Sequence, residues 1–144
     1  MIEEDTVKLL RECDAGIKMG ISSISDVLPS VKSEKFYQSL VDCKEEHECM
    51  ANEMLGMLES YEDDGKRPNP IAKSMSKMKT EMMLAMRRDD KTVADLITDG
   101  CNMGIKSLHK YLNQYEAASK ETKDIVKRLI NLEENLRSTA SQYL

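Results

Sequence analysis

The sequence predicts an all-α fold: a four-helix bundle of two duplicated antiparallel hairpins, joined by one long crossover that carries an extra helix. Three observations support this. The 144 residues include no Trp, one Phe, three Pro and six Gly, and they are rich in Lys, Glu, Leu, Met and Ala, which favour helix over sheet. Apolar residues recur at spacings of three and four along most of the chain. One segment also repeats at a fixed offset. The length fits a single domain over residues 1–144, with a core that needs no disulfide or metal staple.

The first helix is predicted from about Thr6 to Leu28, on the stripe Leu9, Cys13, Ile17, Gly20, Ile24 and Val27, and Pro29 stops it. A second helix starts near Ser33 and reaches Tyr61. Its stripe is Tyr37, Leu40, Val41, Met54, Leu55 and Leu58, with Lys44, His47, Glu48 and Ala51 on the same face. The run from Asp63 to Pro70, with Gly65 and two prolines, is a loop. A third helix, about Ile71 to Arg88, carries Ile71, Met75, Met78, Met82 and Met86 in line. Asp90 is read as the N-cap of a fourth helix. That helix runs to about Ala118 with Val93, Ile97, Cys101, Ile105, Leu108, Leu112 and Tyr115 inward. The last, about Glu121 to Tyr143, turns Ile125, Leu129, Leu132, Leu136 and Tyr143 inward. Hairpin one is thus about 6–62, the crossover about 63–89 and hairpin two about 90–144.

The repeat ties the hairpins together. Cys13-Asp14-Ala15-Gly16-Ile17-Lys18 matches Cys101-Asn102-Met103-Gly104-Ile105-Lys106 at an offset of 88. Carried on without a gap, the same offset sets Tyr37, Val41, Lys44 and Glu48 on Ile125, Leu129, Leu132 and Leu136. Gly16, Gly20, Gly100 and Gly104 are read as places where helices approach closely around a pseudo-two-fold axis.

A duplicated pair of long hairpins with one crossover, and the segments CDAGIKMGISSI, LITDGCNMGIKSLHKYLNQYEAA and LINLEENL, resemble the ferritin-like superfamily, in particular a group of uncharacterised bacterial ferritin-like proteins. The resemblance covers nearly the whole chain and implies a fold more than an activity. It also poses a test. A di-iron bundle takes one Glu from each of two helices and a Glu-x-x-His from each of the other two.

The expected Glu-x-x-His pairs read Lys44-x-x-His47 and Leu132-x-x-Asn135. No carboxylate lies on the inward stripes of the first or fourth helix, and Asp14 and Asp99 fall well off them. A one-residue register shift would turn Glu45 or Glu133 inward without supplying the missing ligands. The sequence therefore points to a non-catalytic structural or protein-interaction module with a degenerate metal site, no cofactor and no catalytic residue. The competing reading is an iron-binding oxidoreductase or iron-handling protein with an atypical site at Glu46, His47 and Glu134. Glu45-Glu46, Glu133-Glu134, Lys18 and Lys106 read as helix-shoulder charges, and Lys44 as a core-stripe Lys that snorkels or pairs with Glu48.

Four cysteines lack CxxC spacing, the start MIEEDT has no signal pattern, and no stretch suits a membrane span. Reduced thiols and a cytoplasmic location are expected. Charge is uneven: residues 65–88 hold seven Lys/Arg against Glu81 alone, a local +6, and the remainder has 14 basic against 25 acidic residues, or −11. Five of the eleven Met lie in that basic segment. Such a helix either packs its Met stripe on its own bundle or offers Met75, Met78, Met82, Met86, Lys73 and Lys77 to a second copy or another protein. Nucleic-acid binding is not expected: the chain is acidic overall and the basic helix lacks a stacking aromatic.

Overall fold

A computed structural model describes residues 2–144. Among them five α-helices follow in order, α1 (Ile2–Val27), α2 (Glu34–Glu59), α3 (Pro70–Met86), α4 (Asp90–Gln114) and α5 (Lys120–Ser141), with a single 3₁₀ turn at Leu28–Ser30. There is no strand among the described residues. Each start from α2 onward has a side-chain cap. The Ser33, Asn69, Asp89 and Ser119 side chains accept from backbone N–H groups of the first turn, and Pro70 sits where a missing N–H costs nothing. The α4 cap is Asp89, not Asp90. Instead Asp90 accepts from Lys32 N at 2.7 Å and Ser33 N at 3.0 Å, tying the α1–α2 turn to the start of α4. α4 ends at Gln114, four residues short of the expected Ala118. The connection after it is held by Asp5 accepting from Ala117 N and Thr6 from Ser119 N.

α1 packs against α2 and α4, and α5 against α4 and α2, so these four helices enclose one core. Leu9, Cys13, Ile17, Ile24 and Val27 of α1, and Val93, Ile97, Cys101 and Leu108 of α4, are buried there as their stripes predict. Helix α2 differs. Its buried set is Phe36, Leu40, Cys43, His47, Met54 and Leu58, while Tyr37 and Leu55 are exposed. The helix is turned by one position from the expected stripe because Phe36, the one Phe of the chain, stacks on Tyr143 at a centroid distance of 4.2 Å. Lys44 accordingly sits half out of the core, 3.9 Å from Glu48.

The turned α2 revises the repeat. Between α1 and α4 burial matches at an offset of 88, with Leu9 and Cys13 falling on the buried Ile97 and Cys101. Between α2 and α5 it matches at 89, with Phe36, Leu40, Cys43 and His47 falling on the buried Ile125, Leu129, Leu132 and Leu136. One residue more therefore separates the matched positions of α4 and α5 than those of α1 and α2.

The loop after α2 lies along α1. Arg11 donates to both carboxylate oxygens of Asp63 at 2.9 and 3.0 Å, and Lys66 pairs with Glu12 at 2.5 Å. Asp14, expected off the buried stripe, is 1% exposed because this loop covers it. Its Oδ2 accepts from Lys18 Nζ at 2.7 Å and from Lys66 N at 3.0 Å. Gly65 makes the cover possible: its φ is +84°, and a Cβ there would collide with Asp14 Oδ2.

Candidate functional site

The interior holds a polar cluster where α2, α4 and α5 meet. His47 on α2 has no exposed surface. Its Nδ1 lies 2.7 Å from the Cys43 carbonyl oxygen, which can only accept, so Nδ1 carries a proton. Its Nε2 lies 2.6 Å from Glu133 Oε1 on α5. Burial alone would lower the His47 pKa, but the contacts with Cys43 and the Glu133 carboxylate outweigh it and raise the pKa to about 10. His47 is therefore an imidazolium at neutral pH, donating from both ring nitrogens.

Gly20 makes room for this pair, and Gly104 lines it without being required there. A Cβ at Gly20 on α1 would stand 3.3 Å from His47 Cδ2, and one at Gly104 on α4 would stand 3.6 Å from Glu133 Oε2. Gly16 and Gly100 face open space, so the four glycines do not serve helix approach as a set. The Cys101 thiol also meets Glu133, and burial followed by that carboxylate pushes its pKa up. Burial pushes Cys13 up as well, to about 12. Both stay protonated and make poor nucleophiles.

The 89-residue offset explains the pair. Lys44-x-x-His47 in α2 falls on Glu133-x-x-Leu136 in α5. α2 and α5 thus each carry one member of a Glu-x-x-His spacing, and the two side chains hydrogen-bond to each other across the core. Sequence reasoning named His47 but paired it with Glu46 and Glu134. Glu46 is exposed and Glu134 half-buried, and the partner is Glu133. The signal that finds it is the inward turn of Glu133 under a one-residue shift.

Among the described residues, no group of three or more His, Cys, Asp or Glu side chains could hold a metal ion. Neither of two surface depressions, one of about 350 Å³ beside Glu53, Met57, Ile125 and Arg128 and one of about 450 Å³ beside Val31 and Tyr37, reaches the pair. What this arrangement offers chemically is a fixed, largely buried proton-sharing contact that joins two helices. No protein-family model, curated protein or solved structure matches the chain, so its chemistry must be read from its own residues.

The second feature is on the outside. α3 lies against α1 and α4 through its C-terminal half, where Leu84 is its buried residue. Its apolar stripe points the other way. Ile71 is 72% exposed, Met75 65%, Met78 64%, Met82 61% and Met86 83%. Lys73 and Lys77 are exposed too, but by helical phase they share the Leu84 side of α3 and not the Met side. Lys79 reaches a partner, Asp99, at 3.7 Å. Of the two placements the sequence left open for the Met stripe, the structure has the outward one. No helix among the described residues is long and apolar enough to cross a membrane.

Proposed function

We propose that this chain is a non-catalytic protein-interaction module of the cytoplasm, ferritin-like in arrangement, with two antiparallel hairpins, a crossover helix and a lost di-iron centre. Its docking face is α3. The observation that carries this reading is the row of five large apolar side chains, each more than three-fifths exposed, on one side of one helix. A continuous row of large exposed apolar side chains, unlike apolar residues scattered singly over a surface, is the kind of feature that marks a contact surface. The interior supports the same reading from the other side: its His47–Glu133 pair is buried and hydrogen-bonded internally, and the Cys101 thiol against Glu133 stays protonated.

The test is to replace Met75, Met78 and Met82 by Gln together and to measure unfolding in urea at low protein concentration. A docking face contributes nothing to the isolated chain, so the unfolding free energy stays within about 0.5 kcal/mol of the parent. Loss of several kcal/mol would mean that the stripe is core, and the reading fails. Metal content is measured on the same preparation after growth in iron-supplemented medium. Stoichiometric iron that is lost in His47→Ala would overturn the non-catalytic assignment.

A further inference from the structure

The reading of α3 as a docking face leaves its occupant open, and resting on that reading, we propose that the occupant is a second copy of this chain. The two copies dock about a two-fold axis with their α3 helices antiparallel and their Met stripes in contact. Three observations lead there.

The first is the symmetry of the stripe. Ile71 and Met86 lie equally far from the midpoint between Met78 and Lys79, and so do Met75 and Met82. In an antiparallel pair centred on that midpoint, Ile71 meets the second copy's Met86, Met75 meets its Met82, and the two Met78 side chains meet beside the axis. An isologous contact requires this kind of self-complementary surface. The stripe spans 15 residue steps, about 22 Å at 1.5 Å per residue, long enough for one continuous helix–helix contact.

The second observation is the character of the shoulders. Ala72, Ser74 and Ala85 flank the stripe and are exposed and small, so two backbones can approach while the flexible Met side chains fill the seam. Lys73 and Lys77, which would repel their copies, lie on the far side of the helix. Of the charges beside the seam, Lys79 is already paired with Asp99 and only Glu81 is left. Repulsion between two such exposed groups is weak beside the burial of ten large side chains.

The third is charge and area. Net charge is −5 per chain, but it divides into +6 over residues 65–88 and −11 elsewhere. Each basic segment is partly compensated by its own acidic bundle, with Lys66 on Glu12 and Lys79 on Asp99, so the two segments meet across the seam with their mutual repulsion reduced. An ordinary dimer interface buries about 800 Å² per partner around an apolar centre, and the Met stripe is placed to supply that centre. An anionic bilayer meets the same face less well, because Lys73 and Lys77 sit on the opposite side of the helix and Lys79 is engaged by Asp99.

Two measurements on the full chain test this. Molecular mass is followed by sedimentation from micromolar to near-millimolar protein, and twice the chain mass is expected at the upper end. Met75→Glu with Met82→Glu is expected to weaken association by about a hundredfold or more while leaving the urea midpoint of the dilute protein in place. Geometry is read by crosslinking in a Cys49→Ser background, which removes the exposed native thiol. Met78→Cys should form a disulfide with its own copy under mild oxidation. Ile71→Cys should not do so alone, yet should crosslink when mixed with Met86→Cys. A monomer at every concentration, self-crosslinking of Ile71→Cys, a dimer indifferent to the two Glu substitutions, or uptake onto anionic phosphatidylserine vesicles by a chain that stays monomeric would each overturn the second copy. These failures are distinct from failure of the docking face itself, which shows as lost stability of the dilute Met→Gln protein.

Discussion

Removing Glu133 isolates the energetic role of the buried pair. Glu133→Leu leaves His47 with no exposed surface and no acceptor for Nε2. Breaking one side of a buried ion pair generally costs about 3–5 kcal/mol. The His47 pKa points the same way: against the cost of burial, Cys43 and Glu133 together raise it from 6.5 to about 10. The Glu133 side chain is 13% exposed, so water screens part of the attraction, and about 3 kcal/mol is the expected loss. The sign with pH follows from the direction of the shift. His47 binds its proton more tightly in the folded chain, so the pair's contribution is complete below pH 6.5 and is lost as pH rises through about 10. Urea unfolding of parent and variant at pH 6, 8 and 10 should give curves that converge as pH rises. His47→Leu with Glu133→Leu replaces the pair by the side chain that the repeat carries at Leu136, and should recover most of the loss. A cost below about 1 kcal/mol for Glu133→Leu, with parent and variant running parallel across pH, would refute the account of an imidazolium–carboxylate pair.

Three further outcomes follow from geometry. Gly20→Ala should be less stable than Gly16→Ala by about 1–2 kcal/mol in thermal or urea unfolding, since a new Cβ meets the His47 ring at 3.3 Å at one site and open space at the other. Gly65→Ala should cost about 2 kcal/mol or more and expose the loop to proteolysis, because its φ of +84° and the Asp14 carboxylate both oppose a side chain. Of the four thiols only Cys49 is exposed, so a thiol reagent should titrate one group in the native chain and four in denaturant.

Helix existence, order and the registers of α1 and α4 were legible because their stripes are long and mutually consistent under the repeat. The register of α2 was not. Tyr37, Val41, Lys44 and Phe36, Leu40, Cys43 both obey the three-and-four spacing, and the choice between them is made by a partner 107 positions away, Tyr143, which Phe36 stacks upon. That single turn carried the error into the site: it set Lys44 inward and kept Glu133 from being matched to His47. Asp14 was misplaced for a different reason. Its cover comes from Gly65 and Lys66, some fifty residues on, and periodicity within one helix holds no record of a loop that folds back over it. For α3 the stripe itself was correct, but amphipathicity defines a face without saying what meets it.

Both candidate features trace to where this chain places its charges. At the centre of the bundle it sets one carboxylate on α5 and one imidazole on α2, so that each neutralises the other. A lone Glu133 or a lone His47 would be an uncompensated buried group, so neither half of the spacing is tolerable without the other. Their contact fastens α2 to α5 and leaves neither group free to bind a ligand there. With the core closed in this way, the strongest unsatisfied demand for a partner is the Met face of α3, where large apolar side chains remain in water while the helix turns its lysines toward the acidic bundle. A helix oriented only by its own chain would do the reverse. A second surface laid over that face, as the proposed α3–α3 contact supplies, would take those side chains out of water.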